Sequence, residues 1–259
     1  MSNVMRSLLL IAMTITGGGM ACAEEVDLLL VLASDVSRSV TDSEFKLQRE
    51  GYAAALTNPG VIQAVRSGPH ARIAICFVEW SGAESQKLLI DWTLVSDADT
   101  AGTVSKQLLK LPRSFADRTS ISEGLAFAMV QLGRAPFRAE RRKIDVAGDG
   151  TNNAGRNIAL VREDVLRQGI SINGLVILSQ AALPWNPEHT HPPGGLDEYY
   201  RRHVIGGPGS FLVVADGHEA FARAIVKKMT AEIAWHAETK VGARTSTAGE
   251  RVRGYYFDH

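Results

Sequence analysis

Asp35-Val36-Ser37-Arg38-Ser39 sets one carboxylate and two hydroxyls at alternate positions of a single turn, directly after the apolar run Leu28 to Ala33. Such oxygens suit a hard divalent cation, which takes carboxylate, hydroxyl, carbonyl and water ligands. Alone, the pattern also reads as a polar turn that caps the following helix. Two further features favour the cation. Thr119 stands just ahead of a helical apolar pattern, Ile121 to Leu132, and Asp149-Gly150 follows a short strand, Ile144 to Ala147. Three separate loops would then carry oxygen donors to the carboxyl ends of strands, where open parallel sheets bind ligands. A contiguous calcium loop is excluded, because Ala154 fills the position an EF-hand reserves for glycine and no Glu closes the loop.

The elements that must position these residues are legible from periodicity. Leu28 to Ala33 is continuously apolar, as a strand covered on both faces requires. Thr41-Asp42-Ser43-Glu44 opens a helix with a capping box, Phe45, Tyr52, Ala53 and Leu56 share one face of it, and Asn58-Pro59-Gly60 ends it. Ile73 to Trp80 and Leu88 to Leu94 read as a hairpin around Ser81-Gly82, followed by a helix from Asp97 to Leu109. Further on come a helix from Ile158 to Gln168 ended by Gly169, a strand from Ile170 to Leu178 and a strand from Phe211 to Ala215. Asp216 is expected to cap a last helix bearing Phe221, Ile225, Met229 and Ile233. Alternation of strands and helices predicts one α/β domain with a mostly parallel sheet and helices on both faces.

With these residues in place, the sequence resembles the von Willebrand factor A-like domain family. That family carries a metal-ion-dependent adhesion site of Asp-x-Ser-x-Ser, a distant Thr, and an Asp followed by Gly. Here the matching residues are Asp35, Ser37, Ser39, Thr119 and Asp149. The match is closer still to an exported bacterial subfamily of unassigned function. It is carried by Gln48-Arg49-Glu50-Gly51-Tyr52, Val78-Glu79-Trp80-Ser81-Gly82, Ile144 to Gly150 and Val204-Ile205-Gly206-Gly207-Pro208-Gly209. The resemblance implies a Rossmann-like doubly wound sheet of six strands with one antiparallel edge strand. It also implies a divalent cation, magnesium first with manganese or calcium as substitutes, that takes an Asp or Glu of a protein partner. Arg38 and Arg118 stand where the subfamily commonly has glycine. Either both point to solvent, or they flank the rim and favour an acidic ligand, as arginine suits carboxylates.

Other polar residues read as structural. Asp145 is a charge inside a short strand and is expected in a buried network, and Asn152 and Asn153 shape their loop. His189, His191 and His203 lack a third ligand at a zinc-like interval, so they read as incidental histidines of a solvated loop. Trp185, Tyr199 and Tyr200 are expected to pin that loop to the domain. Cys76 lies in a buried strand and reads as an inert thiol.

The chain has 259 residues, 28 Lys plus Arg and 28 Asp plus Glu. This balance leaves no electrostatic footprint for nucleic acid. Residues 1–23 read as a cleaved signal peptide: Arg6, the apolar stretch Leu8 to Ile15, Gly17-Gly18-Gly19, then Ala21-Cys22-Ala23. Lipidation at Cys22 is disfavoured by Gly19, where a bulky aliphatic residue is usual. Cleavage leaves 27 basic against 28 acidic residues, a net of −1, and a single cysteine. No later stretch approaches the ~20 apolar residues of a membrane span, so no integral membrane segment is expected in the mature chain. Residues 24–236 form the expected domain, with a proline-rich insertion at 179–210, and 237–259 a polar tail expected to be disordered. The expected product is exported, periplasmic or secreted, and binds protein. A metal-dependent hydrolase using the same site and a metal-free structural domain are the alternatives. The chain has no Gly-x-Ser-x-Gly elbow and no metalloprotease helix motif, which favours binding over catalysis.

Overall fold

A computed structural model describes residues 23–179 and 181–235. The signal-peptide reading, apart from residue 23, and the tail at 237–259 lie outside the described residues. Six strands form the main sheet: β1 (Leu29–Asp35), β2 (Ile73–Trp80), β3 (Gln86–Val95), β4 (Arg142–Gly148), β5 (Ser171–Leu178) and β6 (Leu212–Asp216). Their order across the sheet is β3-β2-β1-β4-β5-β6, parallel except for the antiparallel edge pair β2 and β3. Glu24–Glu25 and Phe137–Arg138 pair separately as a two-stranded parallel ribbon.

The strand order reverses between β1 and β4, and that reversal opens a crevice beyond their carboxyl ends. Ser34 pairs with Ala147 in this register, so Asp35 ends β1 beside Gly148, one residue before Asp149.

Helices cover both faces. On one lie α1 (Asp42–Leu56), α2 (Pro59–Val65), α3 (Ala98–Lys110) and α8 (Phe221–Ile233); on the other lie α4 (Ile121–Gly133), α5 (Ile158–Arg167) and α7 (Leu196–His203). The continuous apolar run serves both layers by alternation. Leu28, Leu30 and Leu32 enter the first core, and Leu29, Val31 and Ala33 the second. Thr41 caps α1 with the predicted capping box: its side chain accepts from Glu44 N while Glu44 accepts from Thr41 N.

Three expectations need correction. The residues Asn58-Pro59-Gly60 do end α1, but Asn58 also caps α2, its side chain accepting from Gly60 N at 2.9 Å. Asp216 caps nothing; it is the last residue of β6, Gly217 turns the chain at φ 79°, and α8 starts at Phe221 after a 3-10 turn. The stretch 179–210 is not simply a loop, for it holds a four-residue helix, α6 (Pro187–Thr190), and α7.

Buried polar groups tie the layers together. Asp145 on β4, fully buried, lies 2.6 Å from Lys228 Nζ of α8, and Lys228 also reaches Glu232 at 3.2 Å. Glu232 accepts from Asn173 Nδ2 of β5 at 2.5 Å. The structural role expected of Asp145 therefore holds. Cys76 is buried in β2, and burial raises its thiol well above the ordinary range. Among the described residues no helix is long and apolar enough to cross a membrane.

Candidate metal centre

Three loops meet at the crevice. The first follows β1. Ser37 N donates to Asp35 Oδ1 at 2.7 Å, an Asx-type turn that draws the chain back over the strand end. Arg113 fastens this turn, its guanidinium donating to the carbonyls of Val36 and Ser37 at 2.8 and 2.7 Å. The second loop precedes α4: Ser120 N donates to Ser81 O at 2.7 Å and the Ser120 side chain caps the helix. The third follows β4 and is bonded to the second. Asn153 N and Ala154 N donate to Thr119 O, Asn153 Oδ1 accepts from Thr119 N at 2.9 Å, and Asn152 Oδ1 accepts from Ser122 N at 2.9 Å. Asn152 and Asn153 thus shape the loop, as expected.

Four of the five predicted donors form one chain of contacts. Asp35 is bonded to the backbone of Ser37, the Ser37 and Ser39 hydroxyls are 3.0 Å apart, and Ser39 Oγ donates to Asp149 Oδ1 at 2.7 Å. Thr119 faces the same rim, lining one pocket with Ser39, but its hydroxyl is engaged by a different residue.

The electrostatics are unusual. Asp35 is 0% and Asp149 1% exposed, and no cationic side chain bonds either carboxylate among the described residues. Burial, then the charge of Asp149, hold the Asp35 carboxyl well above the usual range. Burial pushes Asp149 up to about 6 against the opposing hydrogen bond from Ser39. Among the described residues, Asp35 Oδ2 has no hydrogen-bond partner, and neither has the buried Tyr200 hydroxyl. Both groups face Gly148, where an added Cβ would lie 2.5 Å from Tyr200 Oη and 3.2 Å from Asp35 Oδ2. Two sequestered carboxylates beside hydroxyls, with an orphan oxygen, form a donor set that a divalent cation fits. Among the described residues, no group of three or more His, Cys, Asp or Glu is placed to hold a metal. Any ion here would rest on two carboxylates and neutral oxygens.

His189 is the principal residue the sequence reading missed. It is 4% exposed rather than solvated, and its Nε2 lies 3.1 Å from Thr119 Oγ1. Its Nδ1 lies 3.3 Å from both Thr151 Oγ1 and Asn153 Nδ2. Because Asn153 Oδ1 accepts from Thr119 N, the amide presents its NH2 to Nδ1, and the network assigns the ring proton to Nε2. Burial lowers the pKa of the ring below its ordinary value. His189 then donates to Thr119 and leaves that hydroxyl oxygen one further lone pair. His191 is exposed and His203 stacks on Tyr199 at 5.0 Å. Tyr199 and Tyr200 pack inward as expected, but Trp185 is 68% exposed rather than packed on the domain. Arg38 and Arg118 are exposed and line the pocket that holds Ser39 and Thr119.

Gly150 makes room for His189. A Cβ there would stand 2.2 Å from the ring's Cε1, while Thr151 N donates to His189 O at 2.9 Å and fixes the backbone. Gly150→Ala is expected to expel the ring, at about 1–3 kcal/mol of stability. Limited proteolysis checks it: cleavage between 183 and 191 should accelerate.

A family model described as "Protein of unknown function (DUF1194)" matches residues 25–237. The chain belongs to that family. No curated protein matches it in sequence. Solved structures place the DUF1194 fold. The pilus adhesin SpaC from Lactobacillus rhamnosus GG superposes with a TM-score of 0.57 at 13% identity, over 80% of this chain and 30% of that one. Proximal thread matrix protein 1 from the mussel byssus, solved with a zinc-occupied MIDAS motif, gives 0.56 at 12%, over 81% and 46%. A von Willebrand factor type A structure from Catenulispora acidiphila gives 0.54 at 12%, over 80% and 43%. The chain thus spans less than half the length of these relatives, and its fold is the von Willebrand factor A fold.

Proposed function

We propose that this DUF1194 chain is an exported, divalent-cation-dependent protein-binding module. The observation that carries the reading is the pair of buried carboxylates, Asp35 at the end of β1 and Asp149 in the loop after β4, with no cationic side chain bonded to either among the described residues. Asp35, Ser37, Ser39, Thr119 and Asp149 would hold the ion. Their oxygens favour magnesium, with manganese or calcium as substitutes. When bound, such a cation supplies an electrophilic point for an Asp or Glu carboxylate of the partner. The protein residues keep the remaining work. Ser39 joins the two acidic loops, Asn153 and His189 orient Thr119, and Arg113 holds the turn after Asp35. A neighbour with a metal in its adhesion motif, and another that is a pilus adhesin, support the reading at the level of the fold. An extracytoplasmic setting, periplasmic or secreted, agrees with the N-terminal segment and with those neighbours.

Capture from an envelope extract on immobilised mature chain tests it. Proteins retained in magnesium and released by a chelator, and absent from an Asp35→Ala column, are the expected result. A set of retained proteins that ignores both the chelator and the substitution would overturn the reading. Metal-dependent ester or phosphate turnover lost in Asp35→Ala would replace binding by hydrolysis.

A further inference from the structure

The rim beside the candidate ion site is walled on one side. The inserted segment brings His189 against Thr119 and stands Trp185 at the lip, and the space enclosed is about 220 Å³. That is smaller than the ~300–1,000 Å³ of pockets for drug-sized ligands, so it takes side chains or a small acid, and no helix or broad protein face enters it. Ser39 and Thr119 lie on its wall, which connects it to the acidic loops.

Its charge is one-sided. Among the residues lining it, the guanidiniums of Arg38 and Arg118 are the only permanent charges. Neither arginine has an ion-pair partner among the described residues, and both are exposed, so their forks are open to a ligand. A divalent ion would be balanced formally by Asp35 and Asp149. A ligand carrying one carboxylate would then approach two uncompensated guanidiniums, and a second carboxylate would match them. Arginine holds carboxylates through paired, charge-assisted hydrogen bonds, which makes such a match directional.

We propose that the site reads an acidic pair: two carboxylates close together on one ligand, one directed at the ion and the other at Arg38 and Arg118, with the ligand's hydrocarbon part against Trp185. The proposal rests on the ion-dependent reading above. The source is an acidic stretch of a partner polypeptide, and a free dicarboxylate presents the same chemistry.

Titration of the magnesium-loaded chain by calorimetry and tryptophan fluorescence separates the possibilities. The probes are a hexapeptide centred on Asp-Asp, its neutral isostere centred on Asp-Asn, and succinate. The Asp-Asp peptide is expected to bind at least ~10-fold more tightly than the Asp-Asn peptide, as two charge-assisted hydrogen bonds allow. That preference should vanish in the Arg38→Gln/Arg118→Gln double variant, whose exposed substitutions leave the fold intact, and the fluorescence change should vanish in Trp185→Phe. Equal binding of the two peptides, or a preference that survives the double variant, overturns the proposal. Succinate binding as tightly as Asp-Asp upholds the acidic pair and moves its source to a small acid. A chain that is stabilised by magnesium yet binds none of the three overturns the acidic pair alone. A chain with no response to any divalent ion overturns the ion reading with it.

Discussion

Asp35→Asn is expected to melt higher than the wild-type chain in chelator and to gain nothing from magnesium, reversing the order of the two proteins between the buffers. Without an ion, two carboxylates sit buried at one rim, and burial together with their mutual repulsion disfavours ionising both. Asparagine keeps the acceptor for Ser37 N while removing one of those charges. The wild-type chain recovers the loss only when a cation binds. At a hundredfold excess over the dissociation constant, that linkage is worth about 2.7 kcal/mol, roughly 5–11 °C in melting temperature for a domain of this size. Thermal melts of both proteins in chelator, magnesium and manganese check the prediction. A wild-type chain that melts identically in all three would remove the ion from the account.

The largest purely structural effect is expected at Lys228. Its ammonium is fully buried between Asp145 and Glu232, and among the described residues it is the one cation that touches both acids. Lys228→Met keeps most of the side-chain volume but leaves two acids facing each other in the core. Breaking a buried pair in this way costs about 3–5 kcal/mol, or roughly 6–20 °C here. The neighbouring groups set the pH dependence of the native protein too. Burial, opposed by Lys228 and reinforced by Glu232, pushes Asp145 up to about 7. A raised carboxyl means the folded state holds the proton more tightly than the unfolded one. Its stabilising contribution is therefore present in acid and is lost as pH rises through about 4 to 7. The charge-free combination Asp145→Asn/Lys228→Met/Glu232→Gln should recover much of the loss, a non-additivity that chemical denaturation measures directly.

Most local signals in the sequence match the structure, and long-range ones do not show in it. The Thr41 capping box and the apolar run of β1 carry their meaning within a few residues, and both elements formed where expected. Asp35, Ser37, Ser39 and Asp149 were legible because strand ends in an open sheet define where polar turns converge. α7 was obscured by its proline-rich surroundings. The Leu196 and Tyr200 pair, with acids in the first turn and Arg201, Arg202 and His203 in the last, would have marked it. Asp216 misled because an acid ahead of a helical pattern looks like a cap, while the sheet extended to claim it. His189 had no local signal. Its burial depends on Thr119, 70 residues away, and on the space left by Gly150. The charged residues Arg49 and Glu79 pair with each other in the interior, a contact 30 residues apart in sequence that no local pattern signals.

Ser39 and Asp149, joined at 2.7 Å, are separated by 110 residues, and the sheet that brings them together reverses its order between them. Their loops meet only after β1 and β4 have paired, and contacts of such sequence separation form slowly. On the proposed reading, a refolding chain would gain its affinity for a cation no earlier than β1 and β4 pair in the middle of the sheet. Cation uptake by the proposed site would therefore report closure of the centre of the sheet, and a nascent chain stopped before β4 would carry the Asp35 turn with nothing to complete it.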